Sequence, residues 1–135
     1  MKSAVTSRDG FRPKVLIVEN DPSVRRSMQL LLQGQGFDVR AYAAGENLLL
    51  DAARQPPDCI IADYMLDGDD GIAVLGALRA QGWDGPAIMV SGFASEELSD
   101  RAVAAGFTRV FEKPLRERAL VETVSQLAQR REGGG

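Results

Sequence analysis

Five short apolar runs, each closing on polar or charged residues and each followed by a stretch with helical spacing, constrain this chain more than anything else in it. Lys14 to Val18 is the first, and it is continuous rather than alternating. Continuous apolar runs suit strands buried on both faces of a parallel sheet. Phe37 to Tyr42 is a second, more weakly patterned strand. Asp58 to Ala62 is the third and runs straight into Asp63. Pro86 to Val90 is the fourth, ending at Ser91 and Gly92, and Thr108 to Glu112 is the fifth, closing on Lys113 and Pro114.

The intervening segments read as helices. Asp21 followed by Pro22 is a helix start, a carboxylate cap before a proline at the first helical position. Val24, Met28, Leu31 and Leu32 keep helical spacing until Gly34 and Gly36 stop the run. Gly45 opens a second helix, with Leu48, Leu49, Ala52 and Ala53 expected on one face and Pro56–Pro57 ending it. A third begins near Asp70, after a loop from Asp67 to Gly71, and carries Ile72, Leu75 and Leu78 as far as Gly82. Ser95 caps a fourth with Leu98, Ala102 and Ala105 inward, ending at Gly106. The last spans Leu115 to Arg130, with Leu120, Val124, Leu127 and Ala128 inward.

Strands alternating with helices across short loops imply βαβ units, right-handed crossovers and a parallel sheet covered on both faces. At 135 residues the chain is expected to be one domain. Residues 1–13 read as a polar, unpatterned arm, 14–131 as the folded domain and 132–135 as a frayed tail or the start of a linker.

What the chain lacks narrows the chemistry. There is no histidine, which removes Ser/His/Asp catalysis and histidine metal sites. A single cysteine, Cys59, allows no intrachain disulfide and no cysteine-rich zinc site; inside an apolar run it reads as a buried thiol of a reducing compartment. A net charge of −3 argues against direct nucleic-acid binding. No apolar run approaches the roughly 20 residues that span a bilayer, and the first thirteen residues lack the apolar core of a signal peptide. The expected location is the cytoplasm, with no membrane association.

In open parallel sheets, ligand chemistry sits at the carboxyl ends of the strands. There this chain offers Glu19 and Asn20, Asp63, Ser91 and Lys113. A central carboxylate can attack a phosphoryl group. A neighbouring carboxylate and amide oxygen can hold Mg²⁺, which offsets repulsion between that carboxylate and phosphoryl oxygens. A hydroxyl and an ammonium can take the remaining oxygens. Singly, each has a plain structural explanation: loop acids, a strand-end cap, a surface charge. Together, at four strand ends of one sheet, they make a site.

With these residues the chain resembles the receiver domain of bacterial two-component response regulators, over about Lys14 to Arg130. The resemblance is carried by Val15 to Pro22, by Asp63 with Asp70–Gly71 beyond it, by Val90–Ser91–Gly92 and by Glu112–Lys113–Pro114. It implies a flavodoxin-like (βα)5 fold with strand order 2-1-3-4-5. It implies that Asp63 accepts a phosphoryl group from a histidine kinase or phosphotransfer protein, with Ser91 as the switch hydroxyl and Lys113 as the phosphate contact. The implied Mg²⁺ ligands are Glu19, Asn20, Asp63 and the backbone carbonyl of Met65, and the Lys113–Pro114 bond is expected to be cis. The face formed by the fourth helix, fifth strand and fifth helix would carry output or homodimer contacts. The first helix, with Arg25 and Arg26, would meet the kinase. The protein would be a switch rather than an enzyme, supporting only its own phosphorylation and dephosphorylation.

Three departures bear on this. Asn20 stands where the family has a second acid, which predicts weaker Mg²⁺ binding. Asp67 stands where proline is frequent, so the loop after Asp63 is expected to be less rigid. Its acids do not make a calcium loop: after Asp67 and Asp69 the next ligand slot is Gly71, and Leu78 stands where the glutamate belongs. Val110 occupies the switch position usually held by an aromatic, and Phe111 should face the other way. A pseudo-receiver, acting as a phosphorylation-independent interaction module, is the alternative reading. An aspartate-nucleophile hydrolase is disfavoured, because no second acid follows Asp63 closely. No DNA-binding or enzymatic domain follows Arg131, so the chain is read as a stand-alone receiver or a receiver from a longer protein.

Overall fold

The computed structural model describes residues 12–93 and 95–134, with side chains as far as Ala128. The first eleven residues of the expected arm lie outside the described residues. The sheet holds β1 (Lys14–Val18), β2 (Asp38–Tyr42), β3 (Cys59–Asp63), β4 (Ala87–Ser91) and β5 (Arg109–Glu112), all parallel, in the order 2-1-3-4-5. This is the flavodoxin-like arrangement. The connecting helices are α1 (Pro22–Gly34), α2 (Gly45–Arg54), α3 (Gly71–Ala80), α4 (Glu96–Ala105) and α5 (Glu117–Gly134).

Strand alternation divides the core. Leu16, Val18, Ile60, Ala62, Ala87 and Met89 point to one side, against Leu48 of α2, Val74, Leu75 and Leu78 of α3, and Leu98 and Ala102 of α4. Val15, Ile17, Cys59, Ile61, Ile88 and Val90 point to the other, against Met28 and Leu32 of α1 and Leu120, Val124 and Ala128 of α5. The three inner strands β1, β3 and β4 are buried along their whole length. Their uninterrupted apolar runs have this cause, since both faces are covered.

The caps follow the expected chemistry. Asp21 accepts from the backbone N–H of Ser23 and Val24 with Pro22 inside the first turn, and Ser95 accepts from Leu98 N. Gly106 ends α4 in the left-handed conformation, at φ 113°, where a side chain would be strained.

Some boundaries move. Asp63 belongs to β3, whereas the apolar run was expected to stop at Ala62. The segment 67–71, expected as a plain loop, contains half of a two-residue hairpin in which Met65–Leu66 pairs with Asp69–Asp70 around Gly68, at φ 73°. Ala53 is exposed instead of sharing the buried face of α2. The last helix starts later, at Glu117, and its backbone continues to Gly134, through most of the expected tail. Pro13, placed in the arm, is buried, and its carbonyl accepts from Asp38 N at 3.0 Å.

One ion pair had no sequence signal. Lys14 is buried, and its ammonium donates to Asp51 Oδ1 and to the Gln55 carbonyl, each at 2.7 Å. Tyr42 donates to the other oxygen of Asp51. The cluster ties α2 to the β1–β2 edge.

Candidate functional site

Sheet register assembles the site. Val18 lies opposite Ala62, so Glu19 falls beside Asp63, one residue further on. Asp63 lies opposite Val90 and Ser91 opposite Glu112, which brings the next residue, Lys113, to the same edge. Lys113 N also donates to the Ser91 carbonyl at 2.8 Å. Four of the strand-end residues singled out in the sequence, Glu19, Asp63, Ser91 and Lys113, therefore converge.

The convergence is electrostatically lopsided. Lys113 Nζ lies 3.1 Å from Asp63 Oδ2, 3.1 Å from Glu19 Oε2 and 2.9 Å from Glu19 Oε1. One ammonium thus stands between two carboxylates. Glu19 has no exposed surface and Asp63 has 4%. Glu19 Oε2 also accepts from Asp21 N at 3.0 Å. Oε1 accepts no hydrogen bond, and its 2.9 Å approach to Lys113 is an ion contact. Burial, with the adjoining Asp63 carboxyl adding to it, pushes Glu19 up to about 7, against the pull of Lys113 and the Asp21 N–H. For Lys113, burial works against the ammonium, but the two carboxylates outweigh it and hold its pKa above the ordinary value.

The other oxygen of Asp63, Oδ1, accepts from Met65 N at 3.3 Å. Met65 itself exposes its side chain. Ser91 is buried, and its hydroxyl is turned into its own strand end, accepting from Phe93 N at 2.9 Å and donating to Phe93 O at 3.2 Å. Asn20 is exposed on the rim, while its neighbour Glu19 points inward. Val110 packs against the α2–α4 side of the core and Phe111 against the α1–α5 side, so the ring does face away from the switch position. The Lys113–Pro114 bond is cis.

Three further residues shape the site. Gly71 opens α3 so close to β3 that a Cβ would meet the Asp63 carbonyl at 2.6 Å, and its N–H donates to the Tyr64 carbonyl at 2.9 Å. Any side chain there would press on the backbone of Asp63. Arg25, expected on the kinase-facing surface with Arg26, is half-buried and donates to the Glu19 carbonyl at 2.8 Å. It braces the β1–α1 loop, whereas Arg26 is exposed. An arginine one turn into a helix that starts just after an acid can reach back in this way, which is the signal that was available. Arg101 of α4 donates to the Tyr64 hydroxyl at 3.2 Å.

Among the described residues no group of three or more acidic, histidine or cysteine side chains forms a metal cluster, and no helix is long and apolar enough to cross a membrane. Two adjoining carboxylates, one with a buried oxygen that accepts no hydrogen bond, do fit a hard cation that takes few protein oxygens and keeps its waters.

Comparison with known proteins agrees with this geometry. The family described as the response regulator receiver domain matches residues 15–125. The transcriptional regulatory protein PrrA of Mycobacterium tuberculosis is 33% identical over 131 residues, covering 97% of this chain and 54% of that protein. The chain therefore spans about half the length of such relatives. Among solved structures, the receiver domain of the Francisella response regulator 1452 superposes with a TM-score of 0.84 at 27% identity, covering 89% of this chain and 99% of the other. The BeF3-activated N-terminal receiver domain of Klebsiella pneumoniae RstA gives 0.79 at 26% identity, covering 86% and 98%.

Proposed function

The chain belongs to the response regulator receiver domain family, and from that premise we propose that it is a phosphorylation switch in two-component signalling, with Asp63 as phosphoacceptor. The observation that carries the reading is the set of contacts around Asp63. It is a buried carboxylate at the carboxyl end of the central strand, 3.1 Å from an ammonium and beside a second carboxylate whose burial keeps it short of charge. A structural aspartate would be fully satisfied by its ammonium. Here the ammonium is shared with Glu19, whose Oε1 is left without a hydrogen bond.

Asp63 Oδ would attack the phosphorus of the donor, and Lys113 would follow the new phosphoryl oxygens. Ser91 would leave its ring with Phe93 to donate to another of them. Glu19 and Asp63, with Asn20 at the rim and the Met65 carbonyl, would hold Mg²⁺, which supplies positive charge against the phosphoryl oxygens. Phosphorylation replaces about one negative charge with roughly two and adds acceptors. The resulting pull on Ser91 and Lys113 would bias the face formed by α4, β5 and α5, the expected output or homodimer face. The donor would be a histidine kinase or phosphotransfer protein. A groove floored by Val24, Met28, Leu31, Leu115 and Leu120, with Lys113 at its edge, gives such a donor an apolar seat between α1 and α5.

Incubation with acetyl phosphate and Mg²⁺ followed by intact mass tests the reading. We expect a gain of one phosphoryl group, abolished by Asp63→Asn and slowed by Lys113→Ala. No adduct in the unsubstituted protein would overturn it in favour of the phosphorylation-independent module.

A further inference from the structure

The residue after Asp63 is fixed at both ends of its backbone. Tyr64 N donates to the Val90 carbonyl at 2.9 Å, and the Tyr64 carbonyl accepts from Gly71 N at 2.9 Å. Its half-buried side chain packs against the α2–α4 side of the core and is the post that α4 meets. Arg101, in the second turn of α4, reaches this post in two ways. Its guanidinium donates to the Tyr64 hydroxyl at 3.2 Å and lies 5.8 Å from the ring centroid, within cation–π range. Asp70, which caps α3, and Glu97, one turn before Arg101, add negative potential around the guanidinium. Between Tyr64, Phe93, Ser95 and Arg101 lies an open pocket under the β4–α4 connection.

On the other route from the site to α4, Val110 of β5 is a small, half-buried aliphatic side chain packed against the core. It has neither a polar group nor a ring to exchange partners. Among the described residues, the polar side-chain contact that joins the strand end bearing Asp63 to α4 is the Tyr64–Arg101 pair.

We propose that Tyr64 and Arg101 form a latch that holds α4 in its unmodified position and couples α4 to the state of Asp63. The proposal rests on Asp63 being the phosphoacceptor. When Ser91 turns toward a phosphoryl group it gives up both hydrogen bonds to Phe93. The connection leading into α4 is then released, and the latch is what still opposes movement of the helix. Exposed contacts of these two kinds are individually weak. The coupling is therefore a bias on a two-state helix rather than a lock.

The test is a double-mutant cycle with Tyr64→Phe, Arg101→Ala and the pair, read by beryllium fluoride affinity in the presence of Mg²⁺ and by amide hydrogen exchange of α4 in the unmodified protein. Each single substitution should tighten beryllium fluoride binding about two- to fivefold, Tyr64→Phe less than Arg101→Ala because it keeps the ring, and the double should equal Arg101→Ala alone rather than the product of the two. Exchange should rise in residues 96–105 and stay unchanged in α3. Additive effects, weakened binding or unchanged α4 exchange would each overturn the latch. If the unsubstituted protein binds no beryllium fluoride, the phosphoacceptor reading fails and the coupling with it, whereas the exchange arm still decides whether the latch exists.

Discussion

Among the described residues two lysine–carboxylate clusters are largely buried, and they are built to opposite rules. At the β1–β2 edge, Lys14 has one carboxylate, Asp51, and the Gln55 carbonyl, and Asp51 takes Tyr42 on its second oxygen. Charges match and both carboxylate oxygens have donors. At the carboxyl edge, Lys113 serves two carboxylates, and Glu19 keeps an oxygen without a hydrogen bond. The first cluster is closed and holds structure. The second carries more negative than positive charge, which suits the cation proposed to bind there. Burial alone does not separate a site from a staple; the balance of donors and charges does.

The titration of the two clusters shows the same contrast. Burial pushes the Asp51 carboxyl up, but Lys14 and Tyr42 more than offset it, and its pKa is held below the ordinary 3.8. Its stabilising contribution is present above 3.8 and is lost as the pH falls through the lowered folded value. Glu19 is raised from 4.5 to about 7. The folded protein then keeps a proton that the unfolded chain has released, so this contribution is full below 4.5 and is lost as the pH rises toward 7.

The largest expected effect comes from breaking the closed cluster. Asp51→Ala leaves a buried ammonium with only a carbonyl and should destabilise the protein by about 3 kcal/mol in urea unfolding. It should leave acetyl phosphate labelling of the folded protein intact. A loss below 1 kcal/mol, on the scale of an exposed pair, would remove the distinction between the clusters.

The opposite sign is expected at the open cluster. Glu19→Gln removes the like charge beside Asp63 and should stabilise the unmodified protein by about 2 kcal/mol at pH 8 while weakening Mg²⁺ binding. It should also flatten the fall in stability between pH 4.5 and 7, whose slope is at most about 1.4 kcal/mol per pH unit. Destabilisation by this substitution, or an unchanged pH profile, would mean that Glu19 is as well satisfied as Asp51.

The two clusters differed in how far the sequence exposed them. Glu19, Asp63, Ser91 and Lys113 were legible because each ends an apolar run, and a parallel sheet gathers strand ends at one edge. Lys14 stands at the other end of its run, where no such rule applies, and Asp51 is 37 residues away on a helix. Nothing local pairs them. The same limit hid Arg101, whose partner Tyr64 is 37 residues away and brought close only by packing. The hairpin at 65–70 was missed because its strands are two residues each, too short for any period to show.

Asn20 gives the smallest expected effect. It sits on the exposed rim, so Asn20→Asp adds a charge where water screens it. A charge pair at about 4 Å reaches roughly 4 kcal/mol only at an effective dielectric of 20, and a carboxylate is also costlier to dehydrate than an amide. We therefore expect Mg²⁺ affinity to rise about tenfold, or about 1.4 kcal/mol. Because Mg²⁺ binds the folded state, the thermal midpoint should climb with Mg²⁺ concentration in both proteins and begin to climb at lower concentration in the variant. Without Mg²⁺ the variant should be slightly less stable, since a third acid then crowds the single ammonium of Lys113. Equal midpoints at every Mg²⁺ concentration would mean that the cation is held by Glu19 and Asp63 without help from the rim. The open cluster would then be complete with two carboxylates.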